Sequence, residues 1–389
     1  MTIDQIVNDA DLRSRLFPVT KRKIFLAHAG VAPITQAAVD RIRTAAEEGA
    51  SQEQETEGLL RELEESRRVA ARLLKVDASE IALVGPTAFG LNLVALGIEF
   101  QAGDEVVFYP DDYPSNVYPW LRLEKRGVKL VRLQPVSLGR LTPELVLDAV
   151  GPRTRLVALA SCHFLSGYRL DYRTIGEELR RRGVLFCLDG IQTLGAAPVD
   201  AAYCDFLSAD SHKWLLGPLG AGIFYVRKER QPLLPPALLG AWNIRSPGFI
   251  AQETVECEAG ARRYECGALN ALGILGMRAS MELLLELGIE AIGERLLSLH
   301  TFLAEGLRKR GWHLLAEEFP EEARSGIVTA THDQRNLTAA VEALKEQEIV
   351  VSLRWDRQGK QYIRFSPHFY NTHAELAKVV GVLDRSGLG

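Results

Sequence analysis

The chain has 389 residues, more than one ordinary hydrophobic core carries, so two lobes are expected. Its 47% hydrophobic and 25% charged residues are those of a globular protein, not of a disordered or fibrous one. Acidic residues outnumber basic ones by 50 to 46 with no Lys/Arg cluster, and no apolar stretch reaches the roughly 20 residues a bilayer span needs. Neither a nucleic acid nor a membrane is therefore an expected partner.

The first residues, Met1-Thr2-Ile3-Asp4, are polar and acidic, unlike a secretory signal. Residues 1–20 read as a short helix and an arm ending near Pro18, and Lys23–Leu26 as a strand running into the turn Ala27-His28-Ala29-Gly30. An amphipathic helix is predicted over 57–75, where Leu59, Leu60, Leu63, Ala70, Leu73 and Leu74 recur at helical spacing.

Between about 80 and 228, short apolar runs alternate with helical stretches. The runs are Ile81–Val84, Glu105–Phe108, Lys129–Leu133, Leu156–Ala160, Val184–Leu188, Asp205–Ser208 and Gly222–Val226. Several are apolar almost throughout, as strands covered on both faces must be. The alternation predicts an α/β lobe of three layers around a mainly parallel sheet, with ligands bound where strands end and helices begin. The basic run Arg180-Arg181-Arg182 closes one predicted helix, where cations complement the dipole.

Residues 229–262 are rich in Pro and Gly and read as a long surface excursion, a kind of loop that usually serves binding or an interface. Helices are then predicted over 270–287 and 289–310. After them the pattern reads strand (326–331), helix (336–346), strands (349–353 and 361–366) and a helix (372–385) opened by the capping box Thr372-His373-Ala374-Glu375. This is a smaller α+β lobe. The division expected is 21–264 for the large domain, with 1–20 and 265–389 forming the small one.

Five cysteines (Cys162, Cys187, Cys204, Cys257, Cys266) form no CxxC pair, and the 8 histidines form no HExxH motif. A reduced, cytoplasmic protein with core cysteines and no metal is expected.

Five features fall at strand or loop ends. Asp189 closes an apolar strand, and a carboxylate at a buried strand mouth needs a partner. The pyridinium nitrogen of pyridoxal 5'-phosphate (PLP) is one such partner; a helix cap or an ion pair is another. Lys213, in Ser211-His212-Lys213-Trp214 between a strand and a Gly-rich turn, suits a partly desolvated Schiff-base amine better than a solvated charge. Val84-Gly85-Pro86-Thr87-Ala88-Phe89-Gly90 breaks a strand and opens a helix, either as a phosphate cradle or as a plain strand-to-helix turn. Tyr113 follows another strand and is either a cover for a planar ring or a structural aromatic. Arg364 lies in an otherwise apolar strand, where it either grips a substrate carboxylate or is structural.

With these motifs the chain resembles the class V aminotransferase family of fold-type I PLP enzymes, which includes cysteine desulfurases, isopenicillin N epimerases and kynureninases. The likeness runs from Phe25–Gly30 to Arg364–Thr372. Its most specific part is Leu188-Asp189-Gly190-Ile191-Gln192 followed, 24 positions after Asp189, by Lys213 within Ser211–Pro218. The resemblance implies Lys213 as the Schiff-base lysine and Asp189 as the pyridinium partner. It implies Gln192 at the ring's phenolate oxygen, and Thr87, the amide of Ala88 and His212 at the phosphate. Asp210 stands beside that phosphate where many relatives have Ser. Tyr113 lies over the ring, and Arg364 and His28 lie with the substrate. It further implies small amino acid and keto acid substrates. It also implies a homodimer with active sites at the interface, where Cys266-Gly267-Ala268 and Trp242 approach the partner's site. Three departures stand out. Ala268 replaces a common Thr, Phe164 replaces a common Asn, and residues 351–363 lack the cysteine that desulfurases use. The resemblance therefore implies an aminotransferase ahead of a β-eliminating lyase or an epimerase. A PLP-fold binding protein without catalysis is the other class.

Overall fold

The computed structural model describes residues 1–385. After two short N-terminal helices, whose first turns are capped by the Thr2 and Asp9 side chains, β1 (Ile24–Phe25) leads into the turn at Gly30. Helices Gln36–Ser51 and Glu57–Leu74 follow. The second was predicted, because its Leu63, Val69, Ala70, Leu73 and Leu74 make a buried stripe. The first was not, because only Ala38 of its residues is buried and it therefore carries little apolar periodicity.

The seven predicted apolar runs become the strands of one sheet: β2 (Ile81–Val84), β3 (Glu105–Phe108), β4 (Lys129–Arg132), β5 (Thr154–Ala160), β6 (Leu185–Asp189), β7 (Phe206–Asp210) and β8 (Gly222–Val226). Their spatial order is β2-β8-β7-β6-β5-β3-β4; β8 runs antiparallel to β2 and β7, and the other pairs are parallel. Every residue of β6, β7 and β8 is buried, because both faces are covered. Leu188, Leu207 and Ile223 face a core shared with Ile274 and Met277, whereas their neighbours Cys187, Phe206 and Phe224 face one shared with Leu91, Val94 and Trp120. The edge strand β4 exposes Lys129 and Arg132, charges that discourage pairing with another chain.

The excursion at 229–262 holds 3-10 turns and one isolated bridge, Ile244 to Cys257. Phe249, Ile250 and Val255 stand exposed on it. At its end Glu265 is buried, accepting from Arg67 Nε at 3.0 Å and from the Leu83 amide at 2.8 Å, so it pins the following segment to β2 and to helix Glu57–Leu74.

Beyond the long helices Ala271–Leu287 and Ile289–Arg308 lie β9 (His313–Leu314), β10 (Val328–Thr331), β11 (Ile349–Val350), β12 (Ser352–Trp355) and β13 (Gln361–Phe365). An antiparallel sheet orders them β12-β13-β10-β9, while β11 pairs in parallel with β1. The strand expected at 349–353 is thus two strands. The chain changes partner at Val351, so one set of backbone groups reaches β1 and the next reaches β13. The capping box of the last helix, His373–Arg385, is present as expected: the Glu375 amide donates to Thr372 Oγ1 at 3.1 Å and the Thr372 amide to Glu375 Oε2 at 3.0 Å. Among the described residues no helix is long and apolar enough to cross a membrane.

Candidate active site

Asp189 is the last residue of β6, held between Ala160 of β5 and Ser208 of β7, and only 3% exposed. Its Oδ1 accepts the Ile191 amide at 3.1 Å. Burial pushes its pKa up to about 6, against the pull of that amide and of the nearby Lys213 charge. Lys213 lies three residues past the end of β7, also buried. Desolvation depresses its amine to about 8, with Asp189 as the main opposing influence. Its Nζ sits 5.1 Å from the centroid of the Tyr113 ring, and among the described residues it forms no hydrogen bond or ion pair. A buried acid and a buried amine thus face a common space without neutralising each other directly.

Beside them, helix Thr87–Gly97 begins at Pro86 with no side-chain cap, so the amides of Thr87 and Ala88 stay open at its N-terminus. The helix end is fixed to β7: Thr87 Oγ1 accepts the Asp210 amide at 2.8 Å, and Ser208 Oγ donates to the Thr87 carbonyl at 2.9 Å. Gly90 is required for this approach, since a Cβ there would lie 2.4 Å from Ser208 Oγ. The Asp210 carboxylate, which the sequence placed where it repels a phosphate, lies 3.0 Å from His212 Nδ1. The two are within reach of each other but not aligned for a hydrogen bond.

Gln192 is buried, with Oε1 accepting Trp214 Nε1 at 2.8 Å and Nε2 donating to the Ala29 carbonyl at 3.0 Å. These bonds fix the amide and leave one N–H to offer. Tyr113, 45% exposed, is set edge-on to Phe164 with centroids 5.5 Å apart. Its backbone N–H donates to Asp112 at 2.7 Å. Asp112, which the sequence reading passed over, is buried and also accepts from Asn116; burial and then the Asp189 charge push it up to about 7.

Arg364, on β13, is 1% exposed. Its Nη1 donates to the Phe164 carbonyl at 2.6 Å, while Nε and Nη2 have no hydrogen-bond partner among the described residues. Burial first, then the charge of Arg354, push its pKa down. Arg354 on β12 was missed in the sequence reading. The alternation Ser352, Leu353, Arg354 was its available signal: Ser352 pairs with Arg364 in the antiparallel ladder, so Arg354 shares that face.

His28 does not join this group. It is fully buried, with Nδ1 against the Ser366 carbonyl at 2.8 Å and Nε2 against Tyr370 Oη at 2.6 Å. Both ring nitrogens are committed to holding the turn onto the β13 exit. Ala268 is exposed, and Cys266 and Trp242 are half-buried.

The open groups suit PLP. An acid with a free oxygen, an unpartnered amine, an uncapped helix N-terminus and an aromatic face are the complements of its ring nitrogen, aldehyde, phosphate and π-surface. Residues 24–379 match the family Aminotransferase class-V. A probable cysteine desulfurase of Methanothermobacter thermautotrophicus is 32% identical over 60% of this chain, and the match spans only 58% of that relative. The isopenicillin N epimerase of Streptomyces clavuligerus is 28% identical over 84% of this chain and 86% of its own. The apo cysteine desulfurase of Thermococcus onnurineus NA1 superimposes with a TM-score of 0.88 at 22% identity, covering 99% of this chain and 98% of that one. The chain belongs to the class V aminotransferase family of PLP-dependent enzymes.

Proposed function

We propose that the protein acts at Cα of a small amino acid and that its reaction is transamination. The observation that carries this reading is the pair of buried groups Asp189 and Lys213 facing one space, with the unpartnered Nε and Nη2 of Arg364 close enough to influence Lys213. When bound, the cofactor supplies an electron sink that acidifies the substrate Cα–H. Lys213 would tether it through its amine, and Asp189 would hold the ring nitrogen in its protonated state. Thr87, the Ala88 amide and His212 hold the phosphate, with Asp210 steadying His212. Gln192 donates to the phenolate oxygen, and Tyr113 covers the ring. Arg364 grips the substrate α-carboxylate as a fork. Lys213, whose lowered pKa leaves much of it neutral near pH 8, takes the proton from Cα.

Transamination, β-elimination and epimerisation share the removal of the Cα proton and differ in where the next proton or the Cβ leaving group goes. A cysteine nucleophile is not part of this reading. Cys162, Cys187 and Cys204 are buried, burial pushing the thiol of Cys162 up to about 11, and the β12–β13 hairpin carries no cysteine. The division into 21–264 against 1–20 with 265–389 and a homodimer are part of the proposal, the homodimer supported by the exposed Phe249, Ile250 and Val255 of the excursion. The test is spectral. The PLP-loaded protein is titrated with a panel of amino acids, and products are weighed after a single turnover. Pyridoxamine phosphate and one keto acid per site are expected; regeneration of the starting spectrum without pyridoxamine phosphate overturns transamination.

A further inference from the structure

The Nη2 atoms of Arg364 and Arg354 converge on one point: a Cβ built on Gly30 would lie 3.6 Å from the first and 3.7 Å from the second. Gly30 has no side chain there, so no side-chain atom of residue 30 stands at the point both guanidinium groups approach. Among the described residues, buried Arg364 has two unpartnered nitrogens, and Arg354 donates only through Nη1, to the Leu353 carbonyl at 2.9 Å. No acidic side chain among the described residues pairs with either. Burial first, and then the charge of Arg354, lower the pKa of Arg364. Tyr113, whose ring covers Lys213, also lies close enough to influence both arginines.

Two forks for one α-carboxylate are one more than bidentate recognition uses. We infer that Arg354 reads a second carboxylate, so that the substrate is an amino acid with an acidic side chain. This rests on the proposed role of Arg364 and extends it to substrate class. The inner guanidinium takes the α-carboxylate next to Lys213. The half-buried outer one takes the distal carboxylate, where partial solvent access lowers the cost of changing ligands. An acidic ligand thereby relieves the repulsion between the arginines, while a neutral amino acid leaves Arg354 unpaired.

The test uses the PLP-loaded protein and two readouts. In the first, the spectral response is titrated with aspartate and glutamate against alanine and 2-aminobutyrate. In the second, calorimetry compares succinate and glutarate with butyrate as ligands that do not react. The unaltered protein is expected to favour the diacids at least about tenfold. Arg354→Gln should remove that preference while changing the response to the neutral amino acids less than about threefold, and Arg354→Lys should keep part of it. Equal losses for neutral and acidic ligands in Arg354→Gln would mean that both arginines serve one carboxylate and would overturn the inference. An absent diacid preference in the unaltered protein would do so too. A protein that answers none of the amino acids but still binds diacids through Arg354 would instead sink the proposed function and leave the diacid site standing.

Discussion

The end of the seven-stranded sheet and the β12–β13 hairpin line the same space under opposite constraints. At the sheet end, Asp189 and Lys213 sit among parallel strands buried on both faces, and burial drives both toward their neutral forms: the acid up to about 6, the amine down to about 8. At the hairpin, Arg364 and Arg354 keep their charge in spite of burial, because guanidinium is weakly hydrated and hard to deprotonate. One region therefore moves protons at moderate pH, and the other presents fixed charge for recognition. Substitutions in the first should alter the chemical step, and those in the second should alter affinity.

The sharpest break is Lys213→Ala, which should remove turnover to background, a loss on the order of 1,000-fold or more. Borohydride reduction of the unaltered protein followed by peptide mapping should place the pyridoxyl group on Lys213; a label elsewhere would refute the assignment. Asp189→Asn should retain some PLP but lower kcat on the order of 100-fold, since an amide cannot keep the ring nitrogen protonated and each pKa unit is worth roughly 1.4 kcal/mol. Near-normal turnover would remove Asp189 from the chemistry.

The pH dependence of cofactor capture sharpens the contrast. Only the neutral amine of Lys213 attacks an aldehyde, so the stopped-flow rate of PLP capture by the apoprotein should rise about tenfold per pH unit and level off above about 8, not near 10.5. In Asp189→Asn the plateau should begin at lower pH, because the charge that opposes desolvation is gone. A rate still climbing at pH 10 would show that Lys213 is solvated.

At the hairpin, Arg364→Lys should raise KM about tenfold or more and leave the absorbance of the lysine-bound cofactor unchanged, a point charge having replaced a fork. Loss of cofactor would make Arg364 structural. The smallest effect is expected from replacing all five cysteines with Ala or Ser, which should leave the chemical step within about twofold, whatever the cost in stability. A persulfide trapped on any of them when cysteine is supplied would bring desulfurase chemistry back.

The sequence by itself determined the parallel sheet, because strands buried on both faces must be apolar throughout and so stand out as runs. It also marked Asp189, Lys213, Thr87 and Arg364 as candidates, each with a structural alternative, because they fall together at strand ends in one chain. Tertiary structure decided what depends on positions far apart in the chain. His28 looked available in its turn, but Ser366 and Tyr370 occupy both its nitrogens. Arg354 drew no reading from the sequence. Its meaning comes from Gly30, more than three hundred residues away, which places no side-chain atom at the point both arginines approach. Local pattern fixes which face a residue occupies, and only packing between distant segments fixes what waits on that face.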